Sequence, residues 1–255
     1  MGNSSSARVN NGPVRLVVAN ATQDAAPFDF CIALATGGEP YQGPLMASVG
    51  ASGLTPAQVS GAFGFEYDTN VTYLLRLVAA GAGNCDTPLN AAADPLLTYT
   101  LTGVFDTHLF FVAGSATGSL QAYGIPVQQN VSVPGSGGFW YFNGLSGADS
   151  ASVYSYTQAL PTPTLWYANT LYGYPGTNVT LQVVTNYVPG DYFFEVRTAP
   201  TNAIAITTPA LNLPANTIHL MLAVGTVGVT TPAYTLCEQP RAYATPLAPR
   251  TNCIP

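Results

Sequence analysis

Eight runs of β-branched and aromatic residues recur along the chain: VRLVVAN, VTYLLRLVAA, LLTYTLTGVF, HLFFVAG, FWYFNG, NVTLQVVTNY, YFFEVRT and HLMLAVG. Each is cut short by glycine, proline, asparagine or aspartate. Twenty-one prolines and 25 glycines in 255 residues leave no amphipathic stretch of helical length. Regular short strands with turn residues between them predict an all-β chain built of β-sandwiches.

The runs repeat as a set. Phe63–Gly64 recurs as Tyr172–Gly173, Asn70–Thr72 as Asn178–Thr180, and HLFFVAGS from His108 as HLMLAVGT from His219, at a spacing of about 110 residues. The expectation is two tandem Ig-like β-sandwich domains with a disulfide-stapled C-terminal tail. Residues 1–13 form a polar arm, 14–123 a first sandwich, 124–137 a Pro/Gly-rich linker, 138–236 a second sandwich and 237–255 a proline-rich tail.

The first copy opens with Val14–Cys31, VRLVVANATQDAAPFDFC, an apolar run that breaks and resumes. Asn20, Thr22 and Asp24 bring side chains that bond neighbouring amides, the chemistry of a turn between strands. Asp29 alternates with Phe28 and Phe30, which predicts a solvated face for its carboxylate. Over Val14–Phe30 this wording resembles a bacterial domain-of-unknown-function family that opens V-R-V-V-N-A-S-P-D-A-P. The resemblance implies tandem β-sandwich modules in secreted or cell-surface proteins and carries no activity over, so it bears on fold and location only. The second copy keeps only the rhythm, in NGLSGADSASVYS.

Charge narrows the function. Only 7% of residues are charged, the net charge is -6, lysine is absent, and the six cations are all arginine. Phosphate backbones and anionic bilayers need clustered cations, so nucleic acid and membrane surfaces are excluded as partners. No apolar run is long enough for a transmembrane helix. Residues 1–13 lack the regions of a secretory leader, so an extracellular reading implies one removed before maturity. MGNSSS also fits the myristoylation pattern, which the surface-domain resemblance opposes.

Four cysteines and two histidines, with no C-x-x-C, favour disulfides over zinc, with four buried thiols as the alternative. Three pairings are open; Cys31–Cys85 with Cys237–Cys253 keeps each bond within one domain.

No catalytic group stands out, and no cofactor is expected. Asp106–His108 suggests an acid–base pair, but no nucleophile motif accompanies it. His108 and His219 read as equivalent residues at strand edges. Glu66, Asp68 and Asn70 alternate as calcium ligands do, without the glycine and glutamate of an EF-hand loop, so no metal site is expected. Five N-x-S/T sequons occur, at Asn3, Asn20, Asn70, Asn130 and Asn178.

Aromatics are the suggestive feature. Ten of fifteen tyrosines and both tryptophans lie beyond residue 139. Alternation in FWYF sends half of these rings outward. Trp140, Trp166, Tyr167, Tyr172 and Tyr174 are therefore the candidate contacts for sugar rings or a neighbouring subunit. The leading expectation is a non-catalytic extracellular subunit of a fibre, layer or adhesive appendage. It would associate with itself or with other surface proteins, its N-terminal arm feeding a strand to a neighbour's edge. The alternative is a carbohydrate-binding or adhesion module.

Overall fold

The computed structural model describes residues 14–23, 26–36, 38–47, 53–60, 63–65, 70–101, 107–114, 119–127, 134–175, 185–238 and 253–254. Among its described residues strands dominate, a 3-10 turn lies at Ala91–Ala93, and there is no α-helix.

Seven strands make the first copy: β1 (Val14–Thr22), β2 (Phe28–Leu34), β3 (Phe63–Phe65), β4 (Thr72–Ala79), β5 (Leu97–Thr100), β6 (Thr107–Gly114) and β7 (Leu120–Val127). Sheet I has the order β2-β4-β5, and sheet II the order β3-β1-β6-β7. The second copy holds β8 (Gly137–Ser146), β9 (Ala151–Tyr156), β10 (Thr164–Thr170), β11 (Tyr174–Pro175), β12 (Thr185–Tyr187) and β13 (Gly190–Thr198). It continues with β14 (Ala203–Thr207), β15 (Leu211–Leu213), β16 (Ile218–Thr226), β17 (Ala233–Glu238) and β18 (Cys253–Ile254). Sheet III runs β11-β8-β16-β17-β18 with β12 also on β8, and sheet IV runs β10-β9-β13-β14 with β15 also on β13.

Three cores stack the sheets in the order I, II, III, IV. Leu16, Val18, Phe110 and Val112 of sheet II meet Phe28, Phe30, Leu75 and Leu77 of sheet I. Their sequence neighbours Val17, Ala19, Leu109 and Phe111 point the other way and meet Trp140, Phe142, Leu220 and Leu222 of sheet III. Sheet III's opposite face, with Phe139, Tyr141 and Met221, packs on Val153, Phe194 and Val196 of sheet IV. Sheets II and III are thus buried on both faces. That is why VRLVVAN, HLFFVAG, FWYF and HLMLAVG are unbroken apolar runs, and why each sheet is built on a parallel pair, β1 with β6 and β8 with β16.

This layering corrects two expectations. The FWYF rings do not divide between core and solvent: Phe139, Trp140, Tyr141 and Phe142 are all buried, because a second sheet covers each side. His108 and His219 are not at strand edges but on the interior strands β6 and β16, and both are buried.

The copies keep equivalent parts. Asn20 of β1 and Asn143 of β8 are both buried. Asn20 Nδ2 donates to the Leu54 carbonyl while Oδ1 accepts from Thr22 N; Asn143 Nδ2 donates to the Thr170 carbonyl while Oδ1 accepts from Leu145 N. Each amide thereby bonds back to its own strand two residues on and ties down a crossing segment. Gly114 and Gly225 close the equivalent strands β6 and β16 with φ of +107° and +130°. Strand β7 continues through Val127 and β8 begins at Gly137, so strand covers both ends of 124–137. The arm 1–13 and tail residues 239–252 lie outside the described residues.

Candidate functional site

The outer faces of the stack differ. On sheet I, the loop after β2 and the loop after β4 fold back over the strands as a cap. Cys31 of β2 is bonded to Cys85, with Cα atoms 6.1 Å apart, and Val78, Tyr41 and Ala82 pack around the bridge. Arg76 of β4 donates to both carboxylate oxygens of Asp94 and to the Cys85 carbonyl, and its guanidinium lies 3.9 Å from the centre of the Tyr41 ring. Asp29, also on this face, is fully buried and accepts from Phe30 N at 2.7 Å, Met46 N at 2.8 Å and Ala47 N at 2.8 Å. Its predicted solvated position is therefore wrong: alternation gave the correct face, but the cap covers it. Asp24 lies outside the described residues.

Sheet IV has no such cap among the described residues. In register, Arg197 of β13 faces Ser152 as Arg76 faces Cys31, which makes the two arginines equivalent. Arg76 takes its carboxylate and ring from the cap. Arg197 takes both from its own sheet: Glu195, two residues earlier on the same face, accepts from Nε at 2.8 Å and Nη2 at 2.6 Å, and Tyr154 lies 4.6 Å beneath the guanidinium. The position equivalent to Glu195 in the first copy is Leu74. The open face is thus electrostatically complete without a cover.

Cross-strand partners point to the same side of a sheet, so the pairings define this face. Tyr154 stands between Leu165 and Glu195, Tyr156 beside Phe193, and Arg197 between Ser152 and Ile204. The Tyr156 and Phe193 rings stack at 5.1 Å, 9° from parallel. Leu165 and Ile204 on this face are 48% and 53% exposed. The result is a flat surface of three rings and two aliphatic groups around one internal ion pair.

The predicted contact residues are not brought together there. Trp140 is buried between sheets II and III, and Tyr167 is buried between sheets III and IV with its hydroxyl donating to the Phe139 carbonyl. Trp166 is half-buried, stacked 6.2 Å from Tyr187 and edge-on to Phe139 and Phe194. The Tyr172 hydroxyl accepts from Gly114 N at 2.7 Å and so ties the two copies together. Tyr174 pairs through its backbone with Asn143, and its side chain lies outside the description. Sequence reasoning missed Tyr154, Tyr156 and Phe193, although each alternates with a core residue in SVYSY or YFFEV.

Glu66 and Asp68 lie outside the described residues, while Asn70 sits exposed in a turn at φ +63°. No group of three His, Cys, Asp or Glu side chains gathers among the described residues. No helix there is long and apolar enough to cross a membrane. Cys237 is disulfide-bonded, and β18 places Cys253 opposite it in register.

Each histidine is held by a tyrosine. His108 Nδ1 lies 3.1 Å from the Tyr99 hydroxyl. His219 Nδ1 lies 3.1 Å from the Tyr187 hydroxyl, which is itself 2.9 Å from Thr217 Oγ1 and 3.0 Å from the Pro214 carbonyl. Burial drives the His219 pKa down to about 4 from its ordinary 6.5. Between those values the unfolded chain binds a proton that the folded one refuses, so stability is full above pH 6.5 and is lost as pH falls to 4. Urea unfolding across that window is expected to show a loss of about 3 kcal/mol assignable to His219, which His219→Asn removes. An unchanged pH slope in the variant would assign the loss elsewhere.

No protein-family model matches the chain, and no curated protein is similar to it in sequence. Among solved structures it is similar to CBMbc, of family CBM26, from Eubacterium rectale Amy13K, crystallised in complex with maltoheptaose. That match covers 87% of this chain and 96% of the other at 15% identity, with a TM-score of 0.23.

Proposed function

We propose that the chain is a non-catalytic extracellular adhesion module that binds neutral glycan chains across the open face of sheet IV. The observation that carries this reading is the self-satisfied Arg197–Glu195–Tyr154 group, which leaves a ring-bearing face finished but uncovered. Aromatic and aliphatic groups suit the C–H faces of sugar rings, and hydroxyls of Tyr154, Tyr156 and Ser152 suit their edges. The Arg197–Glu195 pair is neutral, and exposed Asp191 on the same face of β13 adds a negative charge, so an acidic ligand has no cation to seek. Four strands and three rows span about 14 Å by 14 Å, roughly 200 Å². A standard protein interface covers about 800 Å² per partner. The face is too small for the latter and adequate for a short run of sugars. Extracellular location and the resemblance to surface-protein modules accord with the disulfide Cys31–Cys85.

The test is retention on a panel of soluble and insoluble neutral polysaccharides. The native chain should bind at least one, and Tyr156→Ala with Phe193→Ala should weaken that binding at least tenfold, about 1.4 kcal/mol. Binding to none of the panel, or full binding by the double variant, would remove this reading.

The second reading is a structural subunit of a fibre or layer, favoured by the exposed Leu165 and Ile204 on a surface so poor in charge. Under that reading, loss of residues 1–13 abolishes polymerisation, which electron microscopy checks directly.

A further inference from the structure

A protein with few charges must protect its sheet edges by other means. On the edges the structure describes, those means are visible one by one. β2 is covered by backbone bridges from Gln42 and Leu54. β3, β5, β11 and β12 are only two to four residues long. β7 carries Pro126, which cannot donate. β10 has two register shifts against β9, β14 (AIAIT, five residues) has one against β13, and β15 is only three residues long. β17 has none of these devices: it is six residues, AYTLCE, in unbroken register with β16, without proline or lysine. It is also the edge that β18 covers, pairing Ile254 with Leu236 and Cys253 with Cys237.

We propose that β18 is an edge guard, and that the β17 edge beneath it is the surface through which a second copy of this chain adds to sheet III. Antiparallel pairing of β17 with its copy about a two-fold axis through Thr235 sets Ala233 against Cys237, Tyr234 against Leu236 and Thr235 against its own copy, so that opposed side chains share a face. No like charges oppose each other, since the two Glu238 carboxylates fall at opposite ends of the ladder. Such a pairing is isologous and closes after two copies. While the chain's own segment holds the edge, the copy is excluded.

The test compares the full chain with a chain ending at Glu238 and carrying Cys237→Ala, by sedimentation velocity over a concentration series. Dimerisation at least tenfold tighter in the shortened chain, reversed by excess peptide of residues 246–255, supports the guard. Equal association of the two, or a dimer that the peptide leaves intact, overturns it. If the shortened chain loses its native unfolding transition, the same comparison is made with full-length Cys237→Ala/Cys253→Ala, in which the segment is present but untethered. The expected result is again tighter dimerisation than in the native chain, and an unchanged monomer overturns the proposal. Glycan retention by sheet IV is untouched in every case, so the two readings fail separately.

Discussion

Asp29→Ala is expected to lower the unfolding free energy by about 4 kcal/mol, one of the two largest single-residue effects in the molecule. The carboxylate is fully buried and accepts from three backbone amides, two of which, Met46 and Ala47, belong to the loop that caps sheet I. Bonds to a charged acceptor are worth roughly 1.5–3 kcal/mol each, and alanine would leave two buried donors, Phe30 N and Met46 N, with nothing to donate to, while the part-buried Ala47 N would turn to water. Water entering the space recovers part of that loss, which is why the sum is not simply additive. Asp29→Asn preserves the shape and one oxygen but turns an amide N–H toward one of the donors, so it should cost about half as much. Faster proteolysis within residues 38–47 should accompany both changes. A cost below 1 kcal/mol for the alanine variant would mean that the disulfide and the Arg76–Asp94 pair hold the cap alone.

Asp29 also shows where sequence reasoning stops. Period-two alternation placed it correctly on the face opposite Phe28 and Phe30, yet no local pattern records that a loop seventeen residues later returns to cover it. The all-β class was legible because strand runs and turn residues alternate throughout. The Cys31–Cys85 bridge was legible because it is internal to one repeat. The double burial of sheets II and III was written in their unbroken apolar runs, but reading it required knowing that the copies stack face to face. For the same reason Trp140 looked like a contact residue: a ring on the far face of a sandwich is exposed only if nothing packs there. Tyr154, Tyr156 and Phe193 are on the open face because sheet IV is the end of the stack, a property of the whole arrangement and of no local segment.

The seam between the copies carries the other large effect. Phe111 of sheet II and Phe142 of sheet III stack across it at 4.1 Å, 4° from parallel, both buried. Around them the Tyr172 hydroxyl accepts from Gly114 N, and Thr235 Oγ1 donates to the Ala57 carbonyl at 2.6 Å. A Cβ on Gly144 would come within 3.1 Å of the Ala21 side chain across the seam and within 2.7 Å of the Ala223 carbonyl in its own sheet, so a side chain there would crowd both. Phe142→Ala removes a ring from a close-packed layer that has little freedom to collapse, a change that costs about 4 kcal/mol. Phe193→Ala removes the same atoms from the open face of sheet IV, where solvent replaces them, and should cost less than 1 kcal/mol. The contrast separates seam from surface with chemistry held constant. Because the seam is the layer through which one copy stabilises the other, the Phe142 variant should also broaden a single urea transition into two, the second copy's signal read from Trp166. If unfolding of the Phe142 variant stays as cooperative and as stable as that of the Phe193 variant, the copies fold without reference to each other and the seam is only contact. If it splits, the buried pair at Phe111–Phe142 is what makes two sandwiches behave as one molecule.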